Sequence, residues 1–159
     1  MVLSSGPVLV LGLGNRLASD DGVGPLAIDR LSACNKGRTD AVFLDGGTLG
    51  LSLLPRIESA AGLIAVDAAA LGMPAGTVQV FEGEAMDRFA GARKASAHEV
   101  ALSDLLGAAV LSGALPQRRA LVTMEPQTTA LGMPPSQAVS AALPRLCEEI
   151  QRLLQRWSQ

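Results

Sequence analysis

The sequence predicts an α/β protein with a single doubly wound, mostly parallel five-stranded sheet that carries helices on both faces. Five short apolar runs have the length of strands, most of them are continuous rather than alternating, and helical segments separate most of them. Strand–helix alternation with right-handed crossovers builds an open parallel sheet whose strands are buried on both sides. With 159 residues, we expect one domain over residues 1–159, with residues 1–6 as a loose tail.

The predicted strands are residues 7–13, 41–44, 62–66, 77–81 and 119–124. In the fourth run Val78 and Val80 alternate with Gln79, so we expect that strand at an edge or antiparallel. The first run is too short to span a bilayer and lacks a basic leader, which predicts a protein without a membrane segment.

The predicted helices are residues 21–31, 52–58 and 97–111, followed by a C-terminal helix. Ser96 and Glu99 form a capping box at the start of the third helix. Its apolar stripe has helical spacing and comprises Leu102, Leu105, Leu106, Ala109 and Val110. The C-terminal stripe comprises Val139, Leu143, Leu146, Ile150, Leu153 and Trp157. Pro144 lies within it, so that helix kinks there or restarts with Pro144 at its first position.

The charge pattern argues against a nucleic-acid partner. The formal net charge is −2 and the pI is about 5.3. The two basic pairs, at residues 93–94 and 118–119, are interpreted as solvated loops. Cys34 and Cys147 form no CxxC pair, which indicates a reducing compartment, and we expect a cytoplasmic protein.

Glycines and acids follow the first strand, and ligands of doubly wound folds bind at the carboxyl ends of strands. The run GLGNRL at residues 12–17, with Asp45 after the second strand, is similar to a dinucleotide fingerprint. Leu17 replaces the third glycine, however, and would crowd the helix against the strand. Asp20 and Asp21 would also repel a pyrophosphate at the helix start. A nucleotide-binding module is therefore a less favoured alternative.

Three other groups are candidate metal ligands. Asp20 is interpreted as a helix cap, which leaves Asp21 free to point into the cleft. Asp67 closes an apolar strand, where its charge needs loop amides, a partner or a metal ion. His98, the one histidine, is predicted to lie in the first helical turn in line with Leu102, where the helix N-terminus would favour neutral imidazole. Asp21, Asp67 and His98 suit a divalent ion such as nickel, iron, manganese or zinc.

At these residues the sequence resembles the [NiFe]-hydrogenase maturation endopeptidases. The run VLVLGLGNRLASDDGVG at residues 8–24 keeps the signature G-x-G-N-x-L-x-x-D-[DE]-x-x-G intact. Further matches follow in family order across nearly the whole chain: Asp45, Gly46, Gly47 and Thr48 with Gly50, then Asp67, residues 96–98, the strand at 121–124 with Pro126, and residues 132–134.

The resemblance implies an aspartic-type endopeptidase that removes a C-terminal extension from a hydrogenase large-subunit precursor after nickel insertion. It implies that Asp21, Asp67 and His98 contact the metal and act in catalysis. Asp45 to Thr48 would recognise the substrate. The nickel belongs to the substrate, so no tightly bound cofactor is expected. A self-sufficient metallohydrolase of a small amide and a non-catalytic chaperone of the large subunit stay open as alternatives.

Overall fold

The computed structural model describes residues 6–47, 49–93 and 100–159, which contain one five-stranded sheet. Its strands are β1 (Val8–Leu13), β2 (Ala41–Gly47), β3 (Gly62–Ala68), β4 (Val78–Glu82) and β5 (Arg118–Met124), in the order β2-β1-β3-β5-β4. β1, β2, β3 and β5 are parallel, and β4 runs antiparallel to β5 at one edge. The predicted fold class and the antiparallel edge strand are confirmed.

Helices cover both faces of the sheet. They are α1 (Val23–Cys34), α2 (Leu54–Glu58), α3 (Glu84–Ala92), α4 (Val100–Leu111) and α5 (Gln137–Trp157). α1 and α5 bury one face through side chains that include Leu31, Leu146 and Ile150. α2, α3 and α4 bury the other face through Ile57, Met86 and Leu105. Because both faces are covered, β1 and β3 are apolar almost throughout, as the sequence predicted.

The structure adds α3, a helix that was not among those predicted from the sequence. Gly83 precedes it with a φ of +56°, a conformation that turns the chain from β4 into the helix. Met86 and Ala90 are buried, and Phe89 stacks on Phe81 with ring centroids 4.3 Å apart. Positions 86, 89 and 90 have the i, i+3, i+4 spacing of a helix, so the sequence does carry a short signal for it.

Two helix starts differ from their predictions. A 3-10 turn, Ser19–Gly22, precedes α1, so Asp21 lies in that turn and not in the helix. A second 3-10 turn, Gly50–Leu53, precedes α2 and places Pro55 at the second helical position, where a missing N–H is harmless.

α5 and the described part of α4 test the remaining helix predictions. α5 is continuous through Pro144, so the restart at that residue is wrong, and its N-cap is Ser136, whose Oγ accepts from Val139 N at 3.3 Å. Val110 was assigned to the core stripe of α4, yet it is exposed, because it lies roughly 80° around the helix from Leu102.

Some predictions fall outside the described residues. These are the start of the helix at 97–111, the capping box of Ser96 and Glu99, and residues 1–5 of the predicted tail. Within the described ranges, none of the helices has the length and apolar character needed to cross a bilayer.

Candidate active site

An open cavity of about 480 Å³ lies at the carboxyl edge of the sheet. β1 lies between β2 and β3 in the sheet. The chain connections to these two strands run to opposite sides of β1 and therefore leave a crevice at its carboxyl end. Asp21 lines the cavity from the turn after β1, Gly47 from the end of β2, and Asp67 from β3. Two of the three predicted metal ligands therefore share one cavity.

Asp21 is held at the cavity wall by the loop that follows β1. Its Oδ2 accepts a hydrogen bond from Asn15 N at 2.8 Å. Gly14 has a φ of +117°, and a Cβ at that position would lie 1.9 Å from the carbonyl oxygen of Asp21. Only glycine therefore lets the loop and the turn approach closely enough to orient this carboxylate.

Asp67 is 9% exposed and lies near the end of an otherwise apolar strand. Its Oδ1 accepts from Ala68 N at 2.8 Å, and its Oδ2 lies 3.8 Å from Nη1 of Arg93. The guanidinium also lies over the ring of Phe89, 5.6 Å from its centroid. The nearby guanidinium offsets part of the cost of burying this carboxylate.

Arg93 lines the same cavity, and no sequence pattern indicated it as a site residue. The interpretation of the pair at residues 93–94 as a solvated loop is wrong for Arg93, whose side chain is largely buried. The interpretation of residues 118–119 is wrong for Arg119, which forms two hydrogen bonds with Asp87, at 2.6 and 2.8 Å. In both cases the acid that binds the arginine is far away in sequence, so no local pattern indicates it.

His98, the third predicted ligand, lies outside the described residues, and so does Thr48. In the ranges 6–47, 49–93 and 100–159, no three His, Cys, Asp or Glu side chains are grouped to hold a metal ion. Leu102, which is four residues after His98, does line the cavity. The assignment of His98 stays a prediction.

Asp20 does not cap α1, and that prediction is wrong. Among the described residues, no side chain caps the 3-10 turn or α1. The carboxylate of Asp20 is fully buried and accepts hydrogen bonds from the main-chain N–H groups of Gln127, Thr128 and Ser136 and from the hydroxyl of Ser136. Burial alone would raise the pKa of Asp20, but these bonds outweigh it and hold the pKa below its usual value.

Asp45, Gly46 and Gly47, three of the four predicted substrate-recognition residues, lie at the end of β2, which extends further than the sequence indicated. Gly12 pairs with Asp45 and Leu13 pairs with Gly47, so Gly46 is the extra residue of a β-bulge. Gly47 lines the cavity. Asp45 accepts from Gly47 N and from Arg16, each at 2.9 Å.

Arg16 joins Asp45 to Asp29 on α1. Its Nη1 and Nη2 donate to the carboxylate of Asp29 at 2.6 and 2.9 Å. The hydrogen bonds with Asp29 and Asp45 raise the pKa of Arg16, and the same guanidinium lowers the pKa of Asp29. Because Asp45 is paired with Arg16, its carboxylate is not available to bind the ribose of a dinucleotide.

The loop after β1 also differs from a dinucleotide loop. Leu17 does not crowd the helix against the strand as expected, since it is exposed before the helix begins. Gly24 allows the close approach instead, because a Cβ there would lie 2.2 Å from the carbonyl oxygen of Leu13. The loop between β1 and α1 places Asp21 at the position where a pyrophosphate would have to bind. This position of a carboxylate argues against the nucleotide-binding alternative.

Both cysteines are free, Cys34 on the surface and Cys147 in the core. Burial raises the pKa of the Cys147 thiol to about 11. The thiolate is the nucleophilic form, so this cysteine is inert at neutral pH.

The sequence and the fold are similar to those of known proteins. A family model described as hydrogenase maturation protease matches residues 26–153. The hydrogenase expression/formation protein HoxM of Cupriavidus necator is 33% identical over 151 residues, covering 94% of this chain and 75% of that protein. The hydrogenase maturating endopeptidase HybD from Escherichia coli superposes with a TM-score of 0.88 at 27% identity, covering 94% of this chain and 93% of that one. The [NiFe] hydrogenase maturation protease HybD from Thermococcus kodakarensis gives 0.77 at 26% identity, covering 93% and 99%.

Proposed function

The chain belongs to the hydrogenase maturation protease family, and we propose that it recognises its substrate through the nickel ion that the substrate carries. It is a peptide hydrolase that processes the C-terminus of a [NiFe]-hydrogenase large-subunit precursor. In our proposal Asp21, Asp67 and His98 bind the nickel of the precursor, and cleavage follows only when that metal is present. The nickel is part of the substrate, and the chain holds no tightly bound cofactor of its own.

The observation that carries this proposal is the shared cavity of Asp21, from the turn after β1, and Asp67, from the end of β3. Each carboxylate accepts a hydrogen bond from a main-chain N–H, Asn15 for the first and Ala68 for the second. Such bonds orient a carboxylate ligand before the metal arrives. Carboxylate and imidazole together suit a borderline divalent ion, which supports nickel as the ion that is recognised.

The hydrolytic step follows from the same groups. Nickel is a Lewis acid that polarises a carbonyl or a water molecule at its open positions. Among the described residues that line the cavity, Asp21 and Asp67 are the acids. We therefore assign the protein to the aspartic type, in which one of these carboxylates takes the proton of the attacking water. Asp45, Gly46, Gly47 and Thr48 would bind the precursor chain, and Gly47 supports this because it lines the cavity.

We place the reaction in the cytoplasm. Two free thiols in one chain, one of them on the surface, persist in a reducing compartment. The net charge of −2 gives no attraction for nucleic acid. The partner is therefore a protein, the precursor itself.

Cleavage of purified, nickel-loaded precursor tests the proposal. Asp21→Asn, Asp67→Asn and His98→Gln should each lower the rate by at least about 100-fold, because each removes a ligand or a proton acceptor. Asp104→Asn is the matched control, since Asp104 is an exposed acid on α4. It should cleave at the wild-type rate.

Three results would decide against this mechanism. Cleavage at the wild-type rate by all three variants would show that Asp21, Asp67 and His98 do not bind the metal as proposed. Equal cleavage of nickel-free and nickel-loaded precursor would remove nickel recognition. Stoichiometric metal in the purified chain, with hydrolysis of a small amide in the absence of precursor, would support the self-sufficient metallohydrolase.

A further inference from the structure

Exposed apolar side chains gather at the edge of the sheet that carries the cavity. Nine large apolar side chains are exposed in the described part of the chain, and Val42, Val110 and Leu111 are away from this edge. The other six lie in the loops and the 3-10 turn that follow the carboxyl ends of strands: Leu17, Leu49, Leu51, Met73, Leu131 and Met133. Apolar surface that collects around a cavity is typical of a binding site.

Two of these residues lie on loops that a main-chain hydrogen bond joins beside the cavity. Leu17 is 72% exposed and Leu131 is 75% exposed. Gly132 N donates to the carbonyl oxygen of Leu17 at 2.8 Å, which joins the loop after β1 to the loop after β5. Leu131 itself lines the cavity. We call Leu17 and Leu131 the apolar lip.

The apolar lip is held in place by buried polar contacts. Asp20 N donates to Thr128 O at 3.1 Å, and the Asp20 carboxylate accepts from both Gln127 N and Thr128 N. Ser19 Oγ donates to Pro134 O at 2.9 Å. These bonds join the two loops after Leu17 in the first loop and on both sides of Leu131 in the second. A surface fixed in this way loses little conformational entropy when a ligand binds.

We propose that the apolar lip binds an apolar segment of the precursor polypeptide next to the scissile bond. This inference rests on the proposed function, which places a peptide bond of the substrate beside Asp21 and Asp67. A polypeptide bound there has to leave the cavity across its mouth, and Leu131 borders that mouth. Residues 128–135 contain no charged side chain, so the recognised segment is apolar and not acidic or basic.

Steady-state cleavage of nickel-loaded precursor tests the lip. Leu17→Ser and Leu131→Ser should each raise KM about tenfold while kcat stays within about twofold, because a contact made equally in the bound substrate and the transition state changes KM alone. Leu111→Ser is the matched control. Leu111 is 91% exposed at the C-terminal end of α4, at the opposite edge of the sheet, and its variant should keep the wild-type KM. Leu17→Met, which preserves apolar surface, should retain at least half of wild-type kcat/KM.

Precursor affinity, measured by titration calorimetry, separates this inference from the proposed function. If the wild-type chain binds precursor without cleaving it, the proposed function fails. A Kd that is tenfold weaker for the lip variants would still support binding of the precursor by the apolar lip. If KM and Kd of the lip variants equal those of Leu111→Ser, the lip is overturned. A wild-type dimer that Leu17→Ser dissociates, with KM unchanged, would make the lip a contact between two copies of this chain and also overturn the proposal.

Discussion

The carboxylate of Asp20 accepts hydrogen bonds from both the main-chain N–H and the hydroxyl of Ser136, a residue 116 positions further along the chain. Ser136 is also the N-cap of α5. This one contact therefore connects the turn that carries Asp21, the loop that borders the cavity, and the start of the last helix. The position of a cavity wall depends on a buried acid that does not line the cavity itself.

Asp20→Asn should lower the free energy of unfolding by about 2 to 4 kcal/mol. An amide offers one acceptor oxygen where four donors converge, and its own N–H groups point at those donors. Urea denaturation gives the measurement. Asp104→Asn, an exposed acid on α4, should change the free energy by less than about 0.5 kcal/mol. Equal values for the two variants would contradict the role of Asp20.

The contribution of Asp20 should depend on pH in a defined direction. Its pKa is lower in the folded chain than the ordinary value of 3.8, so its stabilisation is present above that value. It is lost as the pH falls below 3.8 towards the lowered pKa of the folded state. The difference in free energy of unfolding between the wild type and Asp20→Asn should therefore shrink on acidification below about pH 4. A difference that stays constant down to about pH 2 would be inconsistent with an ionised Asp20.

Gly14→Ala should nearly abolish precursor cleavage. The new Cβ would overlap the carbonyl oxygen of Asp21 at 1.9 Å, so the turn carrying that acid has to move. Gly37→Ala is the control, because Gly37 also has positive φ, +83°, but nothing lies within 4 Å of the added atom. It should cost about 1 kcal/mol of stability and leave the cleavage rate unchanged. Similar cleavage rates for both variants would show that Asp21 tolerates displacement.

Arg119→Met should lower the free energy of unfolding by about 1 to 2 kcal/mol. Arg119 forms a two-pronged, partly buried pair with Asp87, which ties β5 to α3. Arg152→Met removes a pair with Glu149 in which the arginine is well exposed, and should change stability by less than about 0.5 kcal/mol. Thermal and urea unfolding of both variants check this order. A larger loss of unfolding free energy for Arg152→Met than for Arg119→Met would contradict this prediction.

Local patterns predicted the sheet and most helices because they report how each segment is buried. Continuous apolar runs identified the covered strands, and the alternation of Val78, Gln79 and Val80 identified the antiparallel edge strand. The short α3 was missed because its apolar signal covers barely more than one turn. Val110 was misassigned because it lies at the margin of a stripe, where periodicity alone does not separate buried from exposed positions.

The sequence by itself determined the fold class, the family and two acids at the carboxyl edge of the sheet, Asp21 in the turn after β1 and Asp67 near the end of β3. Chain order and strand polarity suffice to bring Asp21 and Asp67 to one edge of the sheet. Only the tertiary structure decided the partners of the other charged residues: Asp20 with Ser136, Arg16 with Asp45, and Arg93 with Asp67. These partners are separated by 26 to 116 positions in the sequence, and a contact across such a distance depends on how loops pack, which no local periodicity encodes.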